Sequence, residues 1–227
     1  MKRFGKQWIV GWILLTCVGA MNLVSQETRH STYYYQKKSL FKLLPNNPEE
    51  IIFLGDSITD GCEWAELFKN VKIINRGISG DTTNGVLERL DEVIESRPAI
   101  VFLMIGINDL ARGRSVKYIL DNLGKIIRKI GKMSPGTTLY VQGLLPVSSK
   151  FHQFPAYTNK TRKILAINKG LENICKRSDV VYINLFSSFA TEDGRLDSAY
   201  TNDGLHLSGE GYLLWKSLID GFINMDH

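Results

Sequence analysis

Cysteine is scarce in this chain, which has three among 227 residues. Cys17 lies in the N-terminal segment, so only Cys62 and Cys175 remain in the body of the protein. Two cysteines do not make the disulfide framework of a small secreted domain. The sequence permits one bridge between them but does not predict it. A chain of this length buries a substantial core without cross-links, and its length favours a single domain.

An excess of one charge is also lacking once the N-terminus is set aside. The formal net charge is +5, from 28 basic and 23 acidic residues. Residues 1–25 contain Lys2, Arg3 and Lys6 and no acid, so the remainder has 25 basic and 23 acidic residues, a net charge of +2. A nearly neutral body removes the main electrostatic support for binding nucleic acid. We therefore predict no nucleic-acid partner.

Long apolar runs, repeats and low-complexity tracts are absent from the body of the chain. Hydrophobic residues make up 44% and charged residues 22%, as in average globular proteins, which argues against disordered, collagen-like and multi-span membrane proteins. The one long uncharged run, Trp8–Met21, has 14 residues and is short for a membrane span of about 20. The lack of another such run gives no sign of a lipid-docking lid.

The first 25 residues have the three-part pattern of a secretory signal peptide. Met1–Gln7 is basic, Trp8–Met21 is mostly apolar, and small residues follow at Ala20 and Ser25, either of which can precede the cleavage site. We therefore predict export to the periplasm or the extracellular space. The alternative is an uncleaved N-terminal anchor, which would be the protein's only association with a membrane.

Residues 48–227 alternate between strand and helix patterns. Short apolar runs bounded by glycine and proline predict five strands buried on both faces of a sheet. The runs are Ile51–Leu54, Ile73–Ile74, Ala99–Ile105, Thr138–Val141 and Val180–Ile183. Apolar residues at helical spacing lie between them and near the C-terminus, with Ser115 and Ser208 as N-cap candidates. This alternation predicts an α/β domain with a parallel sheet covered on both sides. Residues 26–47, which are polar and aromatic, are predicted to form an extended arm packed on that domain.

Four polar segments follow the predicted strands. They are Gly55–Thr59, Gly77–Thr83, Gly106–Asp109 and Asp203–His206. Ligands of a parallel sheet bind beyond the carboxyl ends of its strands, and the topology brings these segments to that one edge.

The four segments contain the groups that an acyl-transfer site needs. A serine hydroxyl is a poor nucleophile until a base removes its proton, and His206 is the candidate base for Ser57. Asp203 can hold the second ring nitrogen of that histidine. A tetrahedral oxyanion needs fixed donors. The candidates are the N–H groups of Ser57 and Gly80, where glycine permits close approach, and the side-chain amide of Asn108.

Each segment taken alone has a simpler interpretation. Gly55–Ser57 and Asn108-Asp109 can be turns, Ser79–Thr82 can be a helix N-cap, and Asp203 with His206 can be a surface hydrogen bond. The presence of all four, each after its expected strand, favours the catalytic interpretation.

In this order, the four segments resemble the blocks of the SGNH (GDSL-type) hydrolases across most of Ile51–Phe222. Gly55–Ser57 resembles the nucleophile block, Asp203 and His206 resemble the Asp-x-x-His block, and Gly80 and Asn108 stand where the family has its oxyanion glycine and asparagine. The strings Gly80–Thr83, Val86–Leu90 and Gly143–Pro146 are similar to the branch around the platelet-activating-factor acetylhydrolase catalytic subunits.

This resemblance implies a three-layer, flavodoxin-like α/β/α fold and hydrolysis of carboxylic esters without a metal or other cofactor. Because secreted bacterial members of this branch are described as acetylesterases acting on carbohydrates, including sialate, it implies a small ester or an acetylated carbohydrate as substrate. The alternative is a lipid esterase, either a lysophospholipase or a platelet-activating-factor acetylhydrolase. The chain lacks the second glycine of G-x-S-x-G, and its acid lies beside the histidine; both features count against an ordinary α/β-hydrolase.

Aromatic residues follow the fourth predicted strand and should lie near the same edge. Phe151, Phe154 and Tyr157 are candidates for binding substrate, and their rings either stack on a sugar or pack the loop. Asp56, beside the candidate nucleophile, is a fourth candidate. The lack of a lipid-docking run favours a short acyl group.

Other classes of protein are less consistent with these residues. Ser79–Thr83 before a helix could cradle a phosphate or flavin, but the Walker and G-x-G-x-x-G patterns are absent. A non-catalytic carbohydrate-binding protein on the same scaffold is a second alternative. His30, His152, His206 and His227 form no pair at metal-ligand spacing, so we predict no metal site. The sequence does not predict the oligomeric state.

Overall fold

The computed structural model describes residues 30–223. The predicted signal peptide, residues 1–25, lies outside them. None of the helices in this described range is long and apolar enough to cross a bilayer.

Five parallel strands form one sheet, as predicted, and their order is β2-β1-β3-β4-β5. The strands are β1 (Ile51–Gly55), β2 (Ile73–Gly77), β3 (Ile100–Met104), β4 (Thr138–Gln142) and β5 (Val181–Ile183). Gly55 at the end of β1 pairs with Gly77 on one side and with Met104 on the other. The three loops that follow these strands therefore leave the sheet at the same level.

Ten α-helices accompany the sheet between residues 30 and 223, along with one short 3-10 helix, Ser149–Phe151. The α-helices are α1 (Thr32–Phe41), α2 (Ser57–Asp60), α3 (Trp64–Phe68), α4 (Thr83–Glu95), α5 (Ile107–Ala111), α6 (Val116–Met133), α7 (Pro155–Thr158), α8 (Thr161–Arg177), α9 (Phe186–Phe189) and α10 (Gly209–Ile223). Helices α4, α6 and α8 pack side by side on one face of the sheet, and α3 and α10 lie on the other. The predicted three-layer α/β/α fold is confirmed.

The core beneath α3 and α10 is largely aromatic. Phe53, Phe102 and Tyr140 stack along neighbouring strands with ring centroids about 5 Å apart. Trp64 stacks on Phe53 at 4.1 Å, and the ring of Trp215 meets Trp64 edge to face. The burial of these large apolar groups contributes most of the free energy that favours this packing.

Of the two predicted helix caps, one forms the expected hydrogen bond. The Ser115 hydroxyl accepts from the N–H of Tyr118 at 3.1 Å and begins α6. Ser208 directly precedes α10, but its buried hydroxyl has no hydrogen-bond partner among the described residues. Cys62 and Cys175 are buried and unpaired.

The predicted arm at residues 26–47 is not extended where the structure describes it, because Thr32–Phe41 form the helix α1; residues 26–29 lie outside the described range. Ser31 caps the helix by accepting a hydrogen bond from the N–H of Tyr34. Only Tyr34 and Phe41 of this helix are buried, so the sequence lacks an apolar stripe of the usual width. Contacts with the domain stabilise the helix instead: the Tyr34 hydroxyl donates to the carbonyl of Gly85 at 2.9 Å.

Candidate active site

Ser57 begins α2 directly beyond the end of β1. The preceding residue, Asp56, is the helix cap, and its carboxylate accepts from the N–H of Ile58 at 3.1 Å. The strand therefore turns sharply into a helix at the serine, and the Ser57 side chain stays partly exposed.

A continuous chain of hydrogen bonds connects Ser57, His206 and Asp203. The serine Oγ lies 3.0 Å from His206 Nε2. The other ring nitrogen, Nδ1, lies 2.8 Å from Asp203 Oδ2. The imidazole is therefore placed to accept the proton of Ser57 at Nε2. Asp203 holds the other ring proton on Nδ1, which leaves Nε2 free to act as the base. The structure brings together the three residues predicted for this role.

The turn that carries Asp203 holds its carboxylate in place. Oδ1 accepts from the N–H groups of Leu205 and His206, both at 2.8 Å. Burial raises the pKa of Asp203, but the hydrogen bonds from the His206 ring and from these two N–H groups outweigh it, and the pKa is lowered. Asp203 therefore stays ionised, as a partner for an imidazolium must.

Two residues in this turn were not predicted from the sequence. The buried Thr201 hydroxyl accepts from the N–H of Gly204 at 2.9 Å. Gly204 has φ +86°, and a Cβ there would lie 2.1 Å from the carbonyl oxygen of Ser148. A threonine two residues before an aspartate is a turn signal that could have indicated the first of them. No local signal indicates the close approach of Ser148.

Gly80 lies in a tight turn after β2. The N–H of Asp81 donates to the carbonyl of Ile78 at 3.0 Å, and Gly80, with φ +79°, is the third residue of that turn. Such a position favours glycine. The guanidinium of Arg112 donates to the Gly80 carbonyl at 2.7 Å. Within residues 30–223, no oxygen accepts a hydrogen bond from the N–H of Gly80 or of Ser57.

Asn108 lies in α5, beyond β3, and its side chain is held at both ends. Its amide nitrogen donates to the Asp81 carbonyl at 2.9 Å. Its amide oxygen accepts from the Tyr157 hydroxyl at 3.0 Å. An amide nitrogen has two N–H bonds, so one remains for a further acceptor. The role of Tyr157 as a partner of Asn108 was not predicted from the sequence.

Asp56 is buried, with 1% of its surface exposed. Burial raises its pKa to about 7, against the lowering effect of the N–H of Ile58. This position assigns Asp56 to the support of the nucleophile loop and not to direct contact with substrate. The sequence had instead suggested Asp56 as a candidate for binding substrate.

The three aromatic candidates lie around the histidine turn. Phe154 meets the His206 ring edge to face, with centroids 5.3 Å apart, and meets the Tyr157 ring in the same way at 5.9 Å. The Phe151 ring lies against Gly204. All three are half-buried, so each packs the loop and keeps part of its ring exposed.

A buried ion pair lies below the nucleophile and the Gly80 turn. The Arg89 guanidinium donates to Asp81 at 2.8 Å and to the carbonyls of Gly55 and Arg76. Burial raises the pKa of Asp81, and the charge of Arg89 opposes that rise. Through this one guanidinium, α4 ties together the ends of β1 and β2. The sequence signal for this buried ion pair is an arginine within an apolar helical pattern.

Asp109 connects the loops that follow β2 and β3. Its carboxylate accepts from the N–H and the hydroxyl of Thr83, at 2.9 and 2.7 Å. Burial raises the pKa of Asp109, against the lowering effect of both Thr83 donors.

Among the described residues, no three His, Cys, Asp or Glu side chains cluster as metal ligands.

Comparison with known proteins places this arrangement in a family. The GDSL-like Lipase/Acylhydrolase family matches residues 53–214. The alpha1 subunit of platelet-activating factor acetylhydrolase IB from Bos taurus is 30% identical over 169 residues, which cover 72% of this chain and 70% of that subunit.

Solved structures are similar over most of the chain. A GDSL-like lipase from Bacteroides thetaiotaomicron has a TM-score of 0.74 and 26% identity, covering 84% of this chain and 96% of that one. An acetylxylan esterase from Geobacillus stearothermophilus shares the fold, with a TM-score of 0.64 and 18% identity, over 80% of this chain and 96% of that one. The chain therefore belongs to the GDSL-like lipase/acylhydrolase family and is a carboxylic ester hydrolase.

Proposed function

We propose that the protein is an exported serine esterase that removes short acyl groups, above all acetyl, from carbohydrates such as O-acetylated sialate. The observation that carries the catalytic part is the hydrogen-bond chain from Ser57 through His206 to Asp203. The predicted signal peptide in residues 1–25 supports export.

The reaction proceeds in two steps. Ser57 Oγ attacks the ester carbonyl as His206 Nε2 takes its proton, and the imidazolium is stabilised by Asp203. The tetrahedral intermediate collapses, the C–O bond to the alcohol breaks, and His206 returns the proton to the leaving oxygen. Water then attacks the acyl-enzyme as it loses a proton to His206. The C–O bond to Ser57 Oγ breaks, His206 returns that proton to Oγ, and the acid leaves with Ser57 restored.

The negative oxygen of both tetrahedral intermediates is stabilised by three donors. These are the N–H groups of Ser57 and Gly80 and the remaining N–H of the Asn108 amide. Two observations support this assignment of the three donors. The two backbone N–H groups have no acceptor in the described part of the protein, and two hydrogen bonds orient the Asn108 amide. Donors fixed before the reaction need no reorganisation when the charge develops.

A groove beside the turn of Asp203 and His206 supports a hydrophilic alcohol portion, because most of the residues in its wall carry hydroxyl or charged side chains. The proposed catalytic and oxyanion residues are not among those that line it. Its volume is about 730 Å³. Ser148 lies in its wall and donates from its N–H to the Gly204 carbonyl at 2.8 Å, which connects the groove to the turn of Asp203 and His206. The groove is lined by Ser148, Lys150, Thr191, Glu192, Asp193, Arg195, Leu196 and Ser198. Hydroxyl and charged side chains of both signs suit the hydroxyl groups of a sugar better than an acyl chain.

The acetylxylan esterase that shares this fold acts on an acetylated carbohydrate, as its name states, which agrees with this substrate class. The bovine relative favours a second candidate, a platelet-activating-factor acetylhydrolase-like lipid esterase. Both candidates release acetate, so the acyl group does not separate them; the alcohol portion does.

A substrate panel tests the proposal. The panel contains O-acetyl sialate, acetylated xylan oligomers, a lysophospholipid and a platelet-activating-factor analogue, with p-nitrophenyl acetate and octanoate for acyl length. We expect the highest kcat/KM on an acetylated carbohydrate and a lower rate on octanoate than on acetate. Preference for a lipid substrate would replace this proposal with the lipid esterase, and a rate that rises with acyl length would overturn the preference for acetyl.

A further inference from the structure

One carboxylate, that of Asp60, connects α1 to the turn that carries Gly80. Its Oδ2 accepts from the N–H and the hydroxyl of Ser79, at 3.1 and 2.7 Å. The same oxygen accepts from the Tyr33 hydroxyl at 2.9 Å, and Oδ1 lies 3.2 Å from Lys37 Nζ. The Asp60 side chain is 9% exposed, so these contacts are made by a carboxylate that is largely shielded from water.

Asp60 is also close to the nucleophile along the chain. It is the last residue of α2, which Ser57 begins, and its N–H donates to the Asp56 carbonyl at 2.8 Å. Ser79, its partner across the loop, directly precedes Gly80. A shift of this carboxylate therefore changes the position of Gly80 relative to Ser57.

We propose that α1 is a positioning element of the active site: Tyr33 and Lys37 hold the Asp60 carboxylate on Ser79 and thereby fix the Gly80 N–H relative to Ser57. This inference rests on the proposed function, in which that N–H stabilises the oxyanion. Helix α1 precedes residues 53–214, which the family matches, whereas Asp60 and Ser79 lie within them.

The contacts made by α1 explain why Asp60 needs it. Two hydrogen bonds to Ser79 use one carboxylate oxygen and leave the negative charge of the group without a cation. Lys37 supplies that cation, and Tyr33 covers the oxygen that faces Ser79. Burial and the hydrogen bond to Asp60 raise the pKa of Tyr33, so it remains a donor across the neutral range. Without both side chains, water competes with Ser79 for the carboxylate.

The helix has a second anchor that does not touch Asp60. Tyr34, which is 2% exposed, donates its hydroxyl to the Gly85 carbonyl at 2.9 Å. Tyr34→Phe therefore weakens the docking of α1 without altering the contacts of Asp60. It is the matched control for a variant that removes those contacts, Tyr33→Phe with Lys37→Met.

The test uses the full chain and p-nitrophenyl acetate, well below the melting temperature of each variant. We expect the double variant to lower kcat by about 3- to 10-fold with KM unchanged, since a displaced donor is felt mainly in the transition state. The inhibition constant of phenylboronic acid, whose serine adduct is tetrahedral and carries a negative charge, should rise by the same factor. Tyr34→Phe should lower Tm and leave kcat and the boronate affinity at the wild-type values.

Coupling to Asp60 provides a second readout. In an Asp60→Asn background, the same double substitution should cause no further loss of kcat, because its effect passes through the carboxylate. If the double variant is too unstable to measure, Tyr33→Phe alone is expected to show a smaller loss with the same pattern.

Three results would overturn the inference. They are wild-type kcat and boronate affinity in the Asp60-contact variant, an equal loss of kcat in Tyr34→Phe, and losses that add in the Asp60→Asn background. Full activity of Ser57→Ala would instead overturn the proposed function, so the two failures are distinguishable.

Discussion

The Tyr157 hydroxyl donates a hydrogen bond to the amide oxygen of Asn108, at 3.0 Å. Because of this bond, the amide oxygen faces Tyr157, and the amide nitrogen lies on the side of Asp81 and the open site. Tyr157 touches no reacting atom in this arrangement. We propose that it acts on the reaction through Asn108, as a positioning residue.

Tyr157→Phe is therefore expected to lower kcat by about 3- to 10-fold and to leave KM nearly unchanged. Asn108→Ala removes an oxyanion donor outright and should cost about 10²–10³ in kcat. Steady-state kinetics of the two single variants and the double variant measure the coupling. Once Asn108 is alanine, the tyrosine substitution should have no further effect. A full additional loss in the double variant would mean that Tyr157 acts elsewhere.

The turn before His206 depends on a glycine at position 204. Gly204→Ala should destabilise the protein by a few kcal/mol and abolish activity, because a Cβ would lie 2.1 Å from the Ser148 carbonyl and φ is +86°. Gly131→Ala in α6 is the matched control, since nothing in the described structure lies within 4 Å of a Cβ there. It should raise stability by about 0.5–1 kcal/mol. Chemical denaturation of both variants checks this, and equal effects on stability would contradict it.

Burial of Asp56 makes stability depend on pH. Its pKa rises from 3.8 to about 7 in the folded state, so between these values the folded protein holds a proton that the unfolded chain has lost. The contribution of Asp56 to the stability of the wild type should therefore fall as pH rises from about 4 to about 7, by at most about 4 kcal/mol, and level off above that range.

Asp56→Asn keeps an acceptor for the N–H of Ile58 and removes the titration. The free-energy difference between the two proteins should thus move in favour of the variant as pH rises through this window. Urea unfolding at pH 5, 6, 7 and 8 provides the comparison. A difference that stays constant across these pH values would contradict the burial argument.

The Asp203 carboxylate has two roles that one substitution separates. Asp203→Asn keeps an oxygen for the N–H groups of Leu205 and His206 but presents an amide N–H to His206 Nδ1. The histidine is then forced into the tautomer that cannot accept the proton of Ser57, and kcat should fall by about 10⁴. Circular dichroism and Tm should change little. If the loss of kcat comes with an equal loss of folded protein, the tautomer argument does not hold.

The sheet and the grouping of the site residues were predictable because they follow from chain order. Apolar runs marked the five strands, and a parallel sheet brings the residues after each strand to one edge. Ser57, Asp203 and His206 accordingly lie within hydrogen-bonding distance of one another. Their chemical roles, and those of Gly80 and Asn108, stay predictions until activity is measured.

Tertiary contacts explain what the sequence did not indicate. Helix α1 has only two buried residues and depends on partners distant in the chain, so a periodicity search misses it. The bond from Tyr157 to Asn108 depends on how two loops pack, which no local pattern encodes. Asp56 adjoins Ser57 in the sequence, but the turn into α2 buries its carboxylate, which accepts a hydrogen bond from the N–H of Ile58.

The most direct test of the account is where a covalent serine probe reacts. Incubation with a fluorophosphonate, followed by peptide mass spectrometry, should find one modified residue, Ser57. Ser57→Ala should abolish labelling and hydrolysis of p-nitrophenyl acetate, whereas Ser188→Ala, at an exposed serine in α9, should retain both. Labelling at another residue, or hydrolysis by Ser57→Ala at the wild-type rate, would contradict the assignment of Ser57 as the nucleophile.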